Sequence, residues 1–182
     1  MNRLYLSGVL AALLISTSAV AAMDERLGEA ARQGDLATIK ALAKSGVNLN
    51  ESDDSGYTAL ILALYHDQPA VTRYLLAQGA DPNRADNHGR TALMGAAFKG
   101  DTKAADILLA DSRTQINLQN PQGQTAAMYA ALFGHKVFLQ HLVAKGARLD
   151  IKDAKGNTAA SLAESQGNQE LANWIKQQQH AG

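Results

Sequence analysis

Five histidines are the side chains of this sequence best suited to acid–base chemistry or to metal binding. His135 and His141 are six residues apart, whereas two ligands on one face of a helix need a spacing of three or four. His66 and His88 fall on neighbouring turns and helices of the pattern described below, where we expect partner contacts rather than a metal ion. His180 lies in the last residues. We therefore predict no metal site and no cofactor.

Other catalytic patterns are also missing from the sequence. It contains no phosphate-binding or dinucleotide-binding glycine loop, no zinc-protease pair of histidines and no serine nucleophile elbow. A cysteine nucleophile is excluded because there is no cysteine. The acidic run from Glu51 to Tyr57 lacks the residue order and final glutamate of a calcium loop. We predict that the protein is not an enzyme.

The first 22 residues have the composition of a secretory signal peptide. Arg3 supplies the positive start, and Leu4 to Val20 is mostly apolar. Ala19-Val20-Ala21 or Val20-Ala21-Ala22 suits cleavage by signal peptidase directly after it. An uncleaved membrane anchor is the alternative, but the apolar stretch is short beside the ~20 residues that a span needs. We expect cleavage and a periplasmic location.

The charges of the remaining chain nearly cancel. Without Arg3, 16 basic residues face 17 acidic ones, for a net charge of −1. Nucleic-acid binding needs a basic surface that neutralises phosphates, so it is not expected. No second apolar stretch is long enough to cross a membrane. We expect no membrane association after cleavage.

A repeat of 33 or 34 residues runs through the rest of the chain. Gly-x-Thr-Ala motifs recur at Gly56, Gly89, Gly123 and Gly156, and apolar residues recur in the same register at Leu42, Leu75, Leu108, Leu142 and Ile175. A further glycine recurs in mid-repeat at Gly34, Gly100, Gly134 and Gly167, with Asp67 in the remaining unit. The one 34-residue step places an extra residue between Asp111 and Asn117.

Each unit is predicted to form two short helices and a turn. The recurring threonines (Thr58, Thr91, Thr125 and Thr158) suit the cap of the first helix. The mid-repeat glycine ends that helix, and Asp35, Asp101 or Asn168 caps the second, where Pro69 also suits the first turn. Units of this size cannot bury their own apolar faces, so they must stack.

These residues resemble the ankyrin repeat, whose pattern is approximately D-x-x-G-x-T-P-L-H-x-A-A-x-x-G followed by a leucine-rich helix. Units 53–85, 86–119 and 120–152 fit it well, between degenerate units 24–52 and 153–176. The resemblance implies an all-α ankyrin-repeat solenoid over residues 23–176 and a flexible tail over 177–182. Proline becomes alanine throughout, and the histidine becomes Ile61, Met94, Met128 or Ser161, which exchanges a polar tie for apolar packing.

The resemblance also implies a concave groove that binds partners at positions the fold leaves free. On the first helices these positions are Tyr65, His66, Phe98, Lys99, Leu132 and Phe133, and on the turn tips they are Tyr57, His88, Arg90, Gln122 and Gln124. An apolar, aromatic centre within a polar rim is typical of a protein-binding hot spot. Two alternatives stay open: these side chains bury one another, or they pair two copies of the chain.

We therefore expect an exported, non-enzymatic module of the bacterial envelope that is monomeric alone and binds another protein. The resemblance to small exported ankyrin-repeat proteins of bacteria implies protection or assistance of an envelope protein such as a periplasmic catalase. It equally implies an immunity protein that neutralises a toxin, and a homo-oligomeric structural protein is the remaining alternative. Trp174 is expected to cover the last repeat.

Overall fold

The computed structural model describes residues 22–179 and consists, over this range, of ten helices with no sheet. The all-α prediction is confirmed. Residues 1–21 of the predicted signal peptide, and His180 to Gly182, lie outside the described residues. The helices are α1 Glu25–Gln33, α2 Leu36–Lys44, α3 Ala59–Tyr65, α4 Pro69–Ala77, α5 Ala92–Lys99, α6 Thr102–Leu109, α7 Ala126–Leu132, α8 Lys136–Ala144, α9 Ala159–Ser165 and α10 Gln169–Gln179.

The helices form five consecutive pairs that stack into two layers. The first helix of each pair packs against the first helices of its neighbours, from α1 through α9, and α2, α4, α6 and α8 pack likewise in the second layer. This is the predicted solenoid of helix–turn–helix units. Between residues 22 and 179 no helix is long and apolar enough to cross a membrane.

Side-chain caps fix where the helices begin, as predicted. Each recurring threonine accepts a hydrogen bond from the backbone N–H three residues later, at 3.3 Å in all four units. Asp35 and Asp101 accept equivalent bonds at 3.0 Å, and Asn168 accepts one at 3.1 Å. Pro69 occupies the first turn of α4. The spacing of caps along the sequence thus sets the helix boundaries.

Four turn tips share one hydrogen-bond pattern. The side-chain Oδ1 of the first residue accepts N–H bonds from the residues two and four positions later, at 2.8–3.0 Å, in the turns that begin at Asp53, Asp86, Asn120 and Asp153. Adjacent tips are joined where Asn87 N–H donates to Ser55 O and Ala154 N–H donates to Gln122 O. At the equivalent place between the second and third of these tips stands Pro121, which has no N–H to donate.

Alanines from the first helices and larger apolar residues from the second helices form a continuous core. The five apolar residues in register are between 0 and 5 % exposed. Met94 and Met128 are 1 % and 2 % exposed and fill the position of the family's histidine, while Ser161 completes a capping box instead. Trp174 is half-buried against the last part of this core.

The last helix extends further than the sequence predicted. α10 continues to Gln179, three residues past the expected end of the domain at residue 176. Glutamine is a good helix former, so the helix continues without an apolar anchor. The predicted start of the tail at residue 177 therefore falls within this helix.

The enlarged loop after α6 is tied by an arginine clamp. Arg113 bonds the Asp111 carboxylate through its backbone N–H and its guanidinium, and it also donates to Leu76 O of the preceding unit at 2.8 Å. These hydrogen bonds from Arg113 lower the pKa of Asp111 below the ordinary range of an aspartate.

Acid should weaken this clamp. The lowered folded-state pKa means that Asp111 contributes stability above its unfolded pKa, near 4, and loses it as pH falls through the folded value. We expect the difference in unfolding free energy between the parent and Asp111→Asn to shrink steadily between about pH 5 and pH 2. Urea denaturation at several pH values measures it, and a difference independent of pH would contradict this role.

Candidate protein-binding site

Three aromatic residues at the ends of successive first helices are exposed. Tyr65 ends α3, Phe98 lies in the last turn of α5 and Phe133 follows α7, and their exposed fractions are 67, 48 and 45 %. We call these three residues the aromatic row. They belong to the three well-matched repeats, and they are most of the large hydrophobic residues exposed between residues 22 and 179.

Members of the aromatic row also contact their neighbours. The rings of Phe98 and Phe133 meet edge to face with centroids 4.6 Å apart. Such pairing joins two repeats and covers part of each ring. Each ring still leaves nearly half of its residue surface open to solvent. Mutual contact therefore explains the alignment of the row without explaining its exposure.

Lys99 connects the second and third repeats. Its Nζ donates a hydrogen bond to Tyr65 O at 3.0 Å and lies 5.1 Å from the centroid of the Tyr65 ring. An ammonium over an aromatic face is attracted by the negative face of the ring's quadrupole. Lys99 therefore holds the first member of the aromatic row in position.

The two histidines among the predicted contacts are on the surface. His66 packs edge to face on Tyr65, with ring centroids 5.5 Å apart. The side chain of His88 is 69 % exposed, and its Nδ1 is 3.9 Å from Asp86 Oδ2. Among the residues that the structure describes, no three histidine or acidic side chains cluster as metal ligands would.

Arg90 is held by a buried carboxylate. The Asp86 side chain is only 3 % exposed, and its Oδ2 lies 3.0 Å from Arg90 Nε and 2.9 Å from a terminal guanidinium nitrogen. Partial burial alone would lower the pKa of Arg90, but the hydrogen bonds that it donates to Asp86 and the charge of that carboxylate raise it overall. Arg90 is therefore held in one position at the surface. Tyr57, another predicted contact residue, packs half-buried against the core.

The predicted residues of the fourth repeat differ in their freedom. Gln122 is exposed and Leu132 is half-buried. Gln124 Oε1 accepts bonds from Asn120 Nδ2 at 3.1 Å and from the Tyr129 hydroxyl at 3.2 Å. Gln124 is therefore tied within its own turn and has less freedom to contact a partner.

The sequence analysis did not predict two hydrogen bonds between neighbouring repeats. Gln68 Nε2 donates to Arg32 O at 3.0 Å, and His135 Nε2 is 3.1 Å from Phe98 O. Because a carbonyl only accepts, His135 must carry its proton on Nε2. Both residues directly follow the mid-repeat glycine or the residue that replaces it. Their equivalent position in two repeats was the sequence signal that could have indicated these bonds.

The comparisons agree with this architecture. The chain matches the family of ankyrin repeats (3 copies) over residues 27–120 and 94–181. It is also similar to the probable 26S proteasome regulatory subunit p28 of Saccharomyces cerevisiae, with 31 % identity over 133 residues, or 71 % of this chain. The match spans 58 % of the yeast protein's length. From the helix pairs, the shared turn bonds and these matches together, the chain belongs to the ankyrin-repeat family.

Proposed function

We propose that this protein is a non-enzymatic binding module of the bacterial envelope that holds another protein against the aromatic row. The observation that carries the proposal is the exposure of Tyr65, Phe98 and Phe133 in three successive repeats. Exposed apolar patches rimmed by polar residues commonly mark interaction sites. Here the rim includes Arg90, fixed by Asp86, and the exposed Gln122.

The similarity of the chain to the yeast protein supports another protein as its partner. The yeast relative is named as a regulatory subunit of the proteasome, which is a protein assembly. That kinship supports a protein as the partner and carries no argument for a proteasome. The signal-like residues 1–22 support an envelope location, so the partner would be a periplasmic protein or a toxin that acts there.

The protein would bind its partner with a surface that is already ordered before binding. The aromatic row sits on short capped helices, and Lys99 and the Phe98–Phe133 contact hold its rings in place. A surface ordered before binding loses little conformational entropy when the partner arrives. Affinity would then come from burying the three rings, and the polar rim would set the orientation of the partner.

A cross-linked pull-down from the periplasm of the source cells tests the proposal. The parent should capture a partner that mass spectrometry identifies, and Tyr65→Glu/Phe98→Glu/Phe133→Glu should lose it. Burying three carboxylates at the contact would cost far more than the apolar surface contributes. We expect this variant to remain folded, because all three side chains are exposed. Thermal melting of the variant and the parent is the control.

A matched control adds the same charges elsewhere. Ala41, Ala77 and Ala144 are exposed on α2, α4 and α8, in the other helical layer. The triple glutamate variant at these alanines should keep the partner. If both triple variants capture it equally, the aromatic row is not the site. If the parent captures only its own copies, the row serves self-association and the protein is a homo-oligomer.

A further inference from the structure

A cavity of about 170 Å³ opens between α3 and α5, beside the aromatic row. Ile61 and Ala96 are among its apolar lining residues, and the exposed Tyr65, Phe98 and Lys99 also border it. The cavity therefore lies between the second and third repeats, on the side that carries the proposed contact surface.

The cavity exists because one repeat lacks a side chain. The fourth residue after each capping threonine is Leu62, Gly95, Tyr129 and Leu162 in successive repeats. A Cβ added at Gly95 would meet no heavy atom within 4 Å. Glycine is unfavourable within a helix, and no close neighbour requires it at this position. The third repeat thus leaves open the space that a leucine or a tyrosine takes in the others.

The size of the cavity selects what it can hold. An apolar cavity of about 150 Å³ accommodates one benzene molecule. Cofactors and drug-sized ligands occupy pockets of roughly 300–1,000 Å³. At about 170 Å³ this cavity is large enough for a single ring and too small for a metabolite of ordinary size.

Charge at the cavity favours a nearby anion. Arg90 and Lys99 are the cations among its lining residues, and Arg90 is already paired with Asp86. Asp101 also borders the cavity, but its carboxylate caps α6. No carboxylate of the described residues 22–179 lies within ion-pair distance of the Lys99 ammonium, whose neighbours are the carbonyl and ring of Tyr65.

We propose that the cavity beside Gly95 receives one aromatic side chain of the bound protein, adjacent in that protein to a carboxylate that pairs with Lys99. The inference rests on the proposed function, because it names the recognition element that a partner would present. The ring fills the space of the missing side chain, and the carboxylate meets the cation that lacks an acidic partner. Gly95 and Lys99 each differ from the residues at the same position in the other repeats of this chain.

The probe for this site is 3-phenylpropionate, which joins one phenyl ring to one carboxylate. It is titrated into the purified ¹⁵N-labelled protein while amide chemical shifts are recorded. We expect saturable shifts at Tyr65, Gly95 and Lys99, and weaker binding of phenethylamine, which has the same ring and the opposite charge. If these amides do not respond to 3-phenylpropionate, the inference is wrong.

Variants separate the cavity from the surrounding surface. Gly95→Leu places the side chain of the fifth repeat in the space and should abolish the shifts, whereas the smaller Gly95→Ala should retain them. Lys99→Gln should weaken binding of 3-phenylpropionate about two- to fivefold, as expected for losing an exposed ion pair. If Gly95→Leu does not fold, Ile61→Phe narrows the cavity from the opposite wall. Unchanged binding by the folded variant would overturn the inference.

The result of the 3-phenylpropionate titration is independent of the result of the pull-down. A partner lost by the triple variant of the aromatic row but kept by Gly95→Leu leaves the proposed function standing and refutes the cavity as its anchor. Probe binding lost in Gly95→Leu supports the cavity even when no partner has been captured. The two failures are therefore distinguishable.

Discussion

Phe138→Ala is expected to lower the free energy of unfolding by about 3–5 kcal/mol, as large-to-small substitutions of buried phenylalanine do. Phe138 is 1 % exposed and is among the largest fully buried side chains of the described residues. It lies on α8, which packs on α6 and on its own partner helix α7. Removing the ring leaves a cavity where the fourth repeat meets its neighbours, and stability in a repeat protein is the sum of such interfaces.

Urea denaturation followed by circular dichroism measures this loss. A nearby aromatic residue provides the control. Phe133 is 45 % exposed, and its alanine variant should cost only about 1–2 kcal/mol, because an edge-to-face pair contributes about 0.5–1.5 kcal/mol beyond its buried area. A loss of similar size in both variants would show that Phe138 is not central to the stacking. If the unfolding free energy of Phe138→Ala depended less steeply on urea concentration than that of the parent, the repeats would no longer unfold together.

Gly100→Ala should lower the free energy of unfolding by roughly 2–3 kcal/mol. Gly100 has φ of 70°, a left-handed conformation that costs other residues about 1–2 kcal/mol. Its added Cβ would also lie 2.6 Å from Nδ1 of His135, which no real contact tolerates. The imidazole must move and lose its bond to Phe98 O, which is worth about 1 kcal/mol.

Gly167→Ala is the matched comparison. Gly167 has φ of 75°, yet a Cβ there would meet nothing within 4 Å. Its substitution should therefore show the backbone cost alone, about 1–2 kcal/mol. The excess loss in Gly100→Ala, measured by denaturation, reports the tie from His135. Equal losses in the two variants would mean that this tie contributes nothing to stability.

The repeat made most of the fold readable from the sequence. Caps and helix-ending glycines recur in register, so each one confirms the others, and local rules decide where a helix begins. The burial of Leu108 and Leu142 follows from the same register, because stacked units must cover the same face. Only the end of α10 differed, where glutamines extend the helix without any packing signal.

The candidate site was less readable, because its geometry depends on contacts between repeats. The sequence placed Phe98 and Lys99 on an exposed surface, but the direction of a long side chain depends on what lies one repeat away. The sequence predicted Lys99 as a partner contact but did not show that its ammonium also lies against Tyr65. Gly95 was passed over because an empty space is visible only when the facing helix is placed. That the row binds a partner stays a prediction.

Pro121 makes the solenoid mechanically uneven. Neighbouring turn tips are bonded through the N–H groups of Asn87 and Ala154, but Pro121, which lies beside Gly89, has no N–H to donate to the preceding tip. A hydrogen bond of this kind contributes about 1 kcal/mol, so less work separates these two tips than their neighbours. Between these two repeats, the contact of Phe98 with Phe133 and the bond between His135 and Phe98 O are then left to hold the spacing of the rings.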